Sequence, residues 1–318
     1  MRHHIYLLLL PLLLRVECSE VKVQNTKLPT DTIETPAPQP STLNPQLSTP
    51  ITYKSADSLK VIQLLAEGRK QPKGTNLMVY YARQLLGIPY VGQTLEVNKD
   101  EQLIVNLREL DCTTYVETVT ALTLCTLHGQ HSFVDYCKQL QNLRYRGGQL
   151  TDYTSRLHYF TDWIDDNTAM GYVKETQLNA PPFNGVQTIQ VDFMSKHPQY
   201  YVMMKDNEEF QQVIASQEKN LCGRKYRYIP KNAVKNTRDM RCAVKDGDII
   251  AITTSKAGLD TSHIGIAVWH RDGLHLLNAS QIHQKTVEEP MTMYQYMQKH
   301  PTQTGIRVVK VLGVDSSE

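Results

Sequence analysis

The apolar residues recur every three or four positions through the first half of the chain and every second position towards its end. Leu59, Ile62, Leu65 and Ala66 predict an amphipathic helix over residues 58–67, and residues 78–86 carry a second that Gly87 and Pro89 stop. Gly87-Ile88-Pro89-Tyr90-Val91-Gly92 reads as a turn leading into extended chain, and residues 103–107 as a strand. Asp111 has the side chain of an N-cap. Beyond it Val116, Val119 and Leu122 keep helical spacing, which predicts a helix from Cys112 to about Leu127, and another follows over residues 131–143. Residues 153–164 are dense in aromatic and polar side chains, while residues 180–245 are poorly patterned. There, residues 188–191 and 197–202 are strand candidates and residues 199–217 yield no assignment. From Gly247 the period shortens to two, and residues 248–253, 264–268, 274–277 and 306–312 are β-branched runs separated by turn residues. Helices first and an antiparallel sheet last define an α+β chain.

The two ends of this pattern set the domain limits. Arg2-His3-His4 followed by an apolar run to Leu14 has the form of a secretory signal and is too short to cross a bilayer. The chain is therefore expected to be exported, with residues 1–18 removed and no membrane span in the mature form. Lipid attachment at Cys18 is disfavoured, because Glu17 stands where a lipoprotein signal carries a small residue. Residues 19–52 hold six prolines among Thr, Ser, Gln and Asn with no aromatic residue, which reads as a linker. One domain is expected over residues 53–318. A formal charge of +2 offers no basic stripe for nucleic acid. Of six cysteines, five remain after processing, an odd number that fits one free thiol beside pairs that spacing does not assign. No C-x-x-C or H-E-x-x-H occurs, so neither a metal nor another cofactor is expected.

The candidate chemistry lies at Cys112. A cysteine in the first helical turn meets unpaired N–H groups and the positive end of the helix dipole, which draw its pKa from about 8.5 towards roughly 3.5 to 7.5. Its base would be His263, which opens the strand His263-Ile264-Gly265-Ile266-Ala267-Val268. There the aliphatic residues alternate with histidine and two very small residues, and the small face lets a helix start approach. If the hairpin loop is residues 270–273, Trp269 pairs with Leu274, Gly265 lies opposite Asn278, and Asn278 shares the face of His263 while His275 takes the other. Asn278 is then the group that orients the imidazole. Tyr153, Arg156 and His158 read either as a cleft wall presented to a ligand or as part of a packed aromatic segment.

Five motifs in order resemble the NlpC/p60 superfamily of papain-like cysteine hydrolases, which act on bacterial cell-wall peptides. They are Gly87-Ile88-Pro89-Tyr90, Asp111-Cys112-Thr113, Lys245-Asp246-Gly247-Asp248-Ile249-Ile250, His263-Ile264-Gly265-Ile266 and Asn278-Ala279-Ser280. The resemblance implies a papain-like core with the N-terminal helices packed on the C-terminal antiparallel sheet. It also departs from the pattern, since Thr113-Thr114 replace the usual Ser-Gly and Asn278 the commoner third histidine. Residues 107–117, with Ser155-Arg156-Leu157-His158-Tyr159-Phe160 and Asp162-Trp163, are similar to the superfamily's N-acetylmuramoyl-L-alanine amidase-like branch. That branch implies a peptidoglycan or muropeptide substrate cut between the lactyl group of the muramic sugar and L-alanine. Tyr90 and the Cys112 N–H would then serve the oxyanion, the aromatic rings of residues 153–163 a sugar face, and the Arg156 guanidinium a peptide carboxylate. The alternatives are a stem-peptide endopeptidase, in which Asp111 and Thr113 capture a free amine, an idle cell-wall binding module, and an acyltransferase.

Overall fold

The computed structural model describes residues 49–313, so the expected signal segment and residues 19–48 of the linker lie outside the described residues. Ordered pairing begins just ahead of the expected boundary, where β1 (Ile51–Thr52) runs parallel to β2 (Leu103–Ile104). The strand expected over residues 103–107 stops early because the buried Asp57 carboxylate takes the Leu107 N–H at 2.9 Å and pulls the chain off the ladder. Four helices follow the expected spacing: α1 (Ser55–Gly68), α2 (Leu77–Gln84), α3 (Cys112–Leu127) and α4 (Phe133–Arg144).

Helix α3 is buried on every side from Thr114 to Cys125 rather than along a stripe, because α1, α2, α4 and the sheet all pack against it. Its polar side chains are accommodated locally. Thr120 donates to the Val116 carbonyl at 2.8 Å, and Glu117 pairs with the equally buried Arg144 at 2.7 Å, whose Nη1 also reaches the Ile104 carbonyl.

The remaining elements are α5 (Phe160–Ala169), β3 (Val173–Glu175), β4 (Gly185–Thr188), α6 (Phe193–Lys196), α7 (Glu208–Leu221), β5 (Lys225–Pro230), α8 (Arg238–Ala243), β6 (Ile249–Thr254), β7 (Thr261–Trp269), β8 (Leu274–Ser280), β9 (Lys285–Glu288), α9 (Met293–Gln298) and β10 (Gln303–Val311). Two expectations fail in the poorly patterned stretch. The strand expected over residues 188–191 lies earlier, as β4. The one expected over residues 197–202 is a 3₁₀ turn at Pro198–Tyr200, since Pro198 has no N–H for a ladder and its fixed φ suits the start of a turn.

In the main sheet the order is β4-β5-β10-β6-β7-β8-β9, with β3 also on β10, and every pairing in it is antiparallel. The chain is thus a mixed α/β protein with a mostly antiparallel sheet. Both sheet faces are covered. Ile264, Ile266, Val268, Leu277 and Ala279 pack with α1 to α5, while Ala267, Leu274, Leu276, Ile306 and Val308 pack with α8 and α9. Helix α3 therefore lies on the aliphatic face of β7 and not on its glycine-alanine face as the sequence suggested. Gly265 is required for a different reason: a Cβ there would stand 2.7 Å from both Leu276 Cγ and the Leu277 carbonyl oxygen. All five described cysteines, at 112, 125, 137, 222 and 242, are free thiols.

Candidate active site

Local chemistry places Cys112. Asp111 caps α3 by accepting from the Thr114 N–H and hydroxyl, both at 2.8 Å, while its own N–H donates to Thr114 Oγ1 at 2.9 Å. The preceding residue is held from the side, since Leu110 N–H donates to Pro89 and the Val91 N–H donates to Leu110. Tyr90 is in turn fixed to the far edge of the sheet through the Gln284 carbonyl at 3.0 Å. The turn that allows this runs through Gly87 at φ +84°, a conformation that suits glycine. The Gly87-Ile88-Pro89-Tyr90 motif therefore joins the helix start to β9 and brings Tyr90 into the cleft that Cys112 borders.

The hairpin has the register expected from the sequence, with Trp269 opposite Leu274 and Ile266 opposite Leu277. Its consequence is a hydrogen bond of 3.0 Å between His263 Nε2 and Asn278 Oδ1. An amide oxygen only accepts, so Nε2 carries the proton and Nδ1 keeps its lone pair. The Asn278 amide is itself oriented, because Nδ2 donates to the Leu276 carbonyl at 3.1 Å. His275 does not meet His263. Its nitrogens are engaged with the Glu289 carbonyl (2.8 Å) and Asp272 (3.0 Å). We expect Asn278→Ala to lower kcat on the order of 10²-fold, the low end of what a positioned proton-transfer group contributes. His275→Ala should change stability more than kcat. Steady-state kinetics beside thermal unfolding of the two variants checks this, and the opposite ranking would contradict it.

Cys112 and His263 line one cleft of about 1390 Å³ including its open mouth, together with Tyr90, Asp111 and Thr113. The expected resting thiolate is not what the surroundings favour. Burial pushes the Cys112 thiol up to about 12, the Asp111 carboxylate adds to this, and the Ile264 backbone, the Thr113 hydroxyl and the first-turn N–H only partly offset them. Burial also lowers His263 below its ordinary value against the opposing bond from Asn278. Desolvation outweighs the helix start, so the cleft carries a neutral thiol and a neutral imidazole. Alkylation of Cys112 by iodoacetamide should then rise roughly tenfold per pH unit through neutrality, following the thiolate fraction. A rate plateau reached below pH 7 would instead reveal a resting thiolate.

Tyr90 is half-buried, and burial, then the nearby Cys112 and Asp111, raise its phenol so that it stays a hydrogen-bond donor. The other expected cleft-wall residues line the cleft but are already engaged. Arg156, expected to meet a peptide carboxylate, is buried and bonds Glu96 at 2.6 Å and both oxygens of Glu101 at 2.9 and 2.7 Å. Its charge is therefore already matched by two carboxylates, and Nη2 also donates to the Leu95 carbonyl at 3.3 Å. Tyr153 is 1% exposed, packed 4.4 Å from the His158 ring and 5.0 Å from Arg156. His158 is pinned by its bond to the Tyr153 carbonyl at 2.9 Å, and burial, with Arg156 beside it, lowers its pKa to about 3.

Sequence reasoning missed Gln93, Glu96, Phe193, Met194, Tyr201 and Val202, which complete the cleft. None belongs to a strongly periodic element, and no spacing links the two segments. Among the described residues, the one group of side chains near enough to share a cation is His270, Asp272 and His275, at the turn between β7 and β8 and not among the cleft residues.

Residues 80–306 match the family model described as AmiA-like, N-acetylmuramoyl-L-alanine amidase-like. The chain belongs to this family. Its structural relatives include an N-acetylmuramoyl-L-alanine amidase from Bacteroides uniformis, 36% identical with a TM-score of 0.70, covering 76% of this chain and 99% of that one. A Bacteroides fragilis protein provisionally described as a xylanase is 37% identical with a TM-score of 0.68, covering 73% of this chain and 100% of that one. A Legionella pneumophila protein of the family DUF1460, 20% identical with a TM-score of 0.61 over 81% of this chain and 95% of that one, shares the fold. Among curated proteins no relative matches. The matched region of this AmiA-like chain contains Cys112, His263 and Asn278.

Proposed function

We propose that the chain is a cysteine-dependent peptidoglycan hydrolase of papain-like, NlpC/p60 type that cuts the amide between the lactyl group of N-acetylmuramic acid and L-alanine. The observation that carries the reading is the His263–Asn278 bond, which leaves Nδ1 unprotonated on a residue that lines the same cleft as Cys112. Family membership and the Bacteroides uniformis amidase support the choice of bond.

In the first step the Cys112 proton passes to His263 Nδ1 as the sulfur attacks the lactyl carbonyl carbon. The resulting oxyanion meets the Cys112 N–H and the Tyr90 hydroxyl, a stabilisation of roughly 2.7 to 4 kcal/mol for each well-placed donor. Nδ1–H then protonates the departing alanine nitrogen, the C–N bond breaks and a thioester remains. Water, losing its proton to Nδ1, attacks the thioester, and the regenerated thiol leaves a free lactyl carboxylate. A neutral thiol and imidazole suit this sequence, because the proton moves only when the substrate is in place.

A xylanase-like glycosidase needs two carboxyls free to act as acid and as base or nucleophile. The cleft carboxylates are bound otherwise: Asp260 takes the Thr161 and Thr261 N–H groups, Asp111 caps α3 and Glu96 pairs with Arg156. Mass spectrometry of muropeptides digested by the protein tests the proposal. Release of intact stem peptide with a new N-terminal alanine is expected, and products in which the sugar keeps a dipeptide would favour a stem-peptide endopeptidase instead.

A further inference from the structure

Resting on the muramoyl-L-alanine reading above, we propose that Phe193, Tyr201 and Val202, with Gln93 and Glu96, form the subsite for the muramic sugar ring. The sequence had pointed to the aromatic rings of residues 153–163 for this task. Those rings are spent on packing. Trp163 is fully buried and stacked on Phe160 at 4.9 Å, and Tyr153 is enclosed by His158 and Arg156.

The partly exposed aromatic residues bordering the cleft are Tyr90, Phe193 and Tyr201, and Tyr90 lies close to Cys112. Phe193 is backed by a ladder of rings, with His197 at 4.4 Å and Tyr200 parallel to His197 at 5.6 Å. Val202, which lines the same cleft, is 61% exposed. Together Phe193, Tyr201 and Val202 give the cleft a partly exposed apolar lining of the kind that small-molecule sites present.

The platform is also fixed in place. The Phe193 N–H donates to the Gly258 carbonyl at 3.3 Å, and the Met194 N–H donates to the buried Glu218, which also takes the Tyr159 hydroxyl at 2.6 Å. Gly258 suits this contact, since it sits at φ +77° and a Cβ there would lie 3.1 Å from the Phe193 nitrogen. A rigid aromatic platform pays little ordering entropy when a ring settles on it.

Charge decides which part of the substrate belongs there. Among the described residues lining the cleft, Arg156 is the one cationic side chain, and Glu96 and Glu101 already outnumber it. Asp111 and Asp260 add further negative charge to the same cleft, which disfavours the free carboxylates of the stem peptide along it. The muramoyl side carries no such charge, because its lactyl carboxyl is tied up in the scissile amide. Arg156 engages only Oε1 of Glu96, and the remaining oxygen, with the Gln93 amide, suits sugar hydroxyl and N-acetyl N–H donors.

Two substrates with the same scissile amide test the assignment, N-acetylmuramoyl-tripeptide and N-lactoyl-tripeptide. The wild type should favour the sugar-bearing substrate by about 10²-fold in kcat/KM, and Phe193→Ala should remove at least about tenfold of that while leaving the lactoyl substrate within roughly twofold. Equal turnover of both substrates by the wild type, or an equal loss on both in Phe193→Ala, overturns the proposal. If neither substrate is cut at the lactyl amide, the proposed function fails, and binding reads the subsite separately. Cys112→Ala should bind N-acetylmuramoyl methylamide by NMR titration and lose it when Phe193→Ala is added. No binding to Cys112→Ala overturns the subsite whatever the activity.

Discussion

Cys112→Ser should lower muropeptide hydrolysis by about 10³-fold or more while the protein stays folded, since loss of a covalent nucleophile removes nearly all of the advantage that the other members of its unit provide. The residue is half-buried at a helix start whose cap is made by Asp111 and Thr114, so exchanging sulfur for oxygen leaves the capping bonds in place. Serine fails because His263, lowered by burial and supported only by a neutral amide, is too weak a base for a hydroxyl. Cys125→Ala is the control. That cysteine is fully buried on α3 and is not among the cleft residues, so its loss should show in unfolding and not in kcat. Hydrolysis by Cys112→Ser near the wild-type rate, with unchanged circular dichroism, would end the cysteine mechanism.

The second large effect is on stability. Arg156→Ala should cost about 3 to 5 kcal/mol, because it leaves the enclosed Glu101, and Glu96 at the cleft, without their cation. Glu101 keeps a bond from the Tyr145 hydroxyl at 2.7 Å, which does not supply a positive charge. For a domain of this size the loss corresponds to a fall in Tm of roughly 10 °C, measurable by calorimetry. Adding Glu96→Gln and Glu101→Gln should recover much of it, since the unpaired charges are then gone. The same variant separates this role from carboxylate recognition: a rise in KM at unchanged Tm would return Arg156 to the substrate.

The contrast at Arg156 shows where sequence reading lost its footing. Side-chain type and neighbouring aromatics made the arginine look like a reader of carboxylates. Its partners come from residues 55 and 60 positions earlier, in a loop without periodicity, and only folding brings them to it. The thiol erred for a related reason. Sequence spacing exposes the helix start and its favourable field, but desolvation depends on which distant segments pack around the thiol, and here desolvation is the larger effect.

What the sequence determined by itself were the features governed by local geometry. The Asp111 cap, α1 to α4, and the pairing of β7 with β8 follow from period, capping chemistry and a turn of fixed length, and that register alone puts Asn278 beside His263. The tertiary structure decided the rest: which face of β7 receives α3, why Gly265 must be glycine, and which rings remain open to the cleft. Those outcomes depend on competition for space and charge between segments distant in sequence. Periodicity carries no record of such competition, because it constrains how a segment folds and leaves open what covers it.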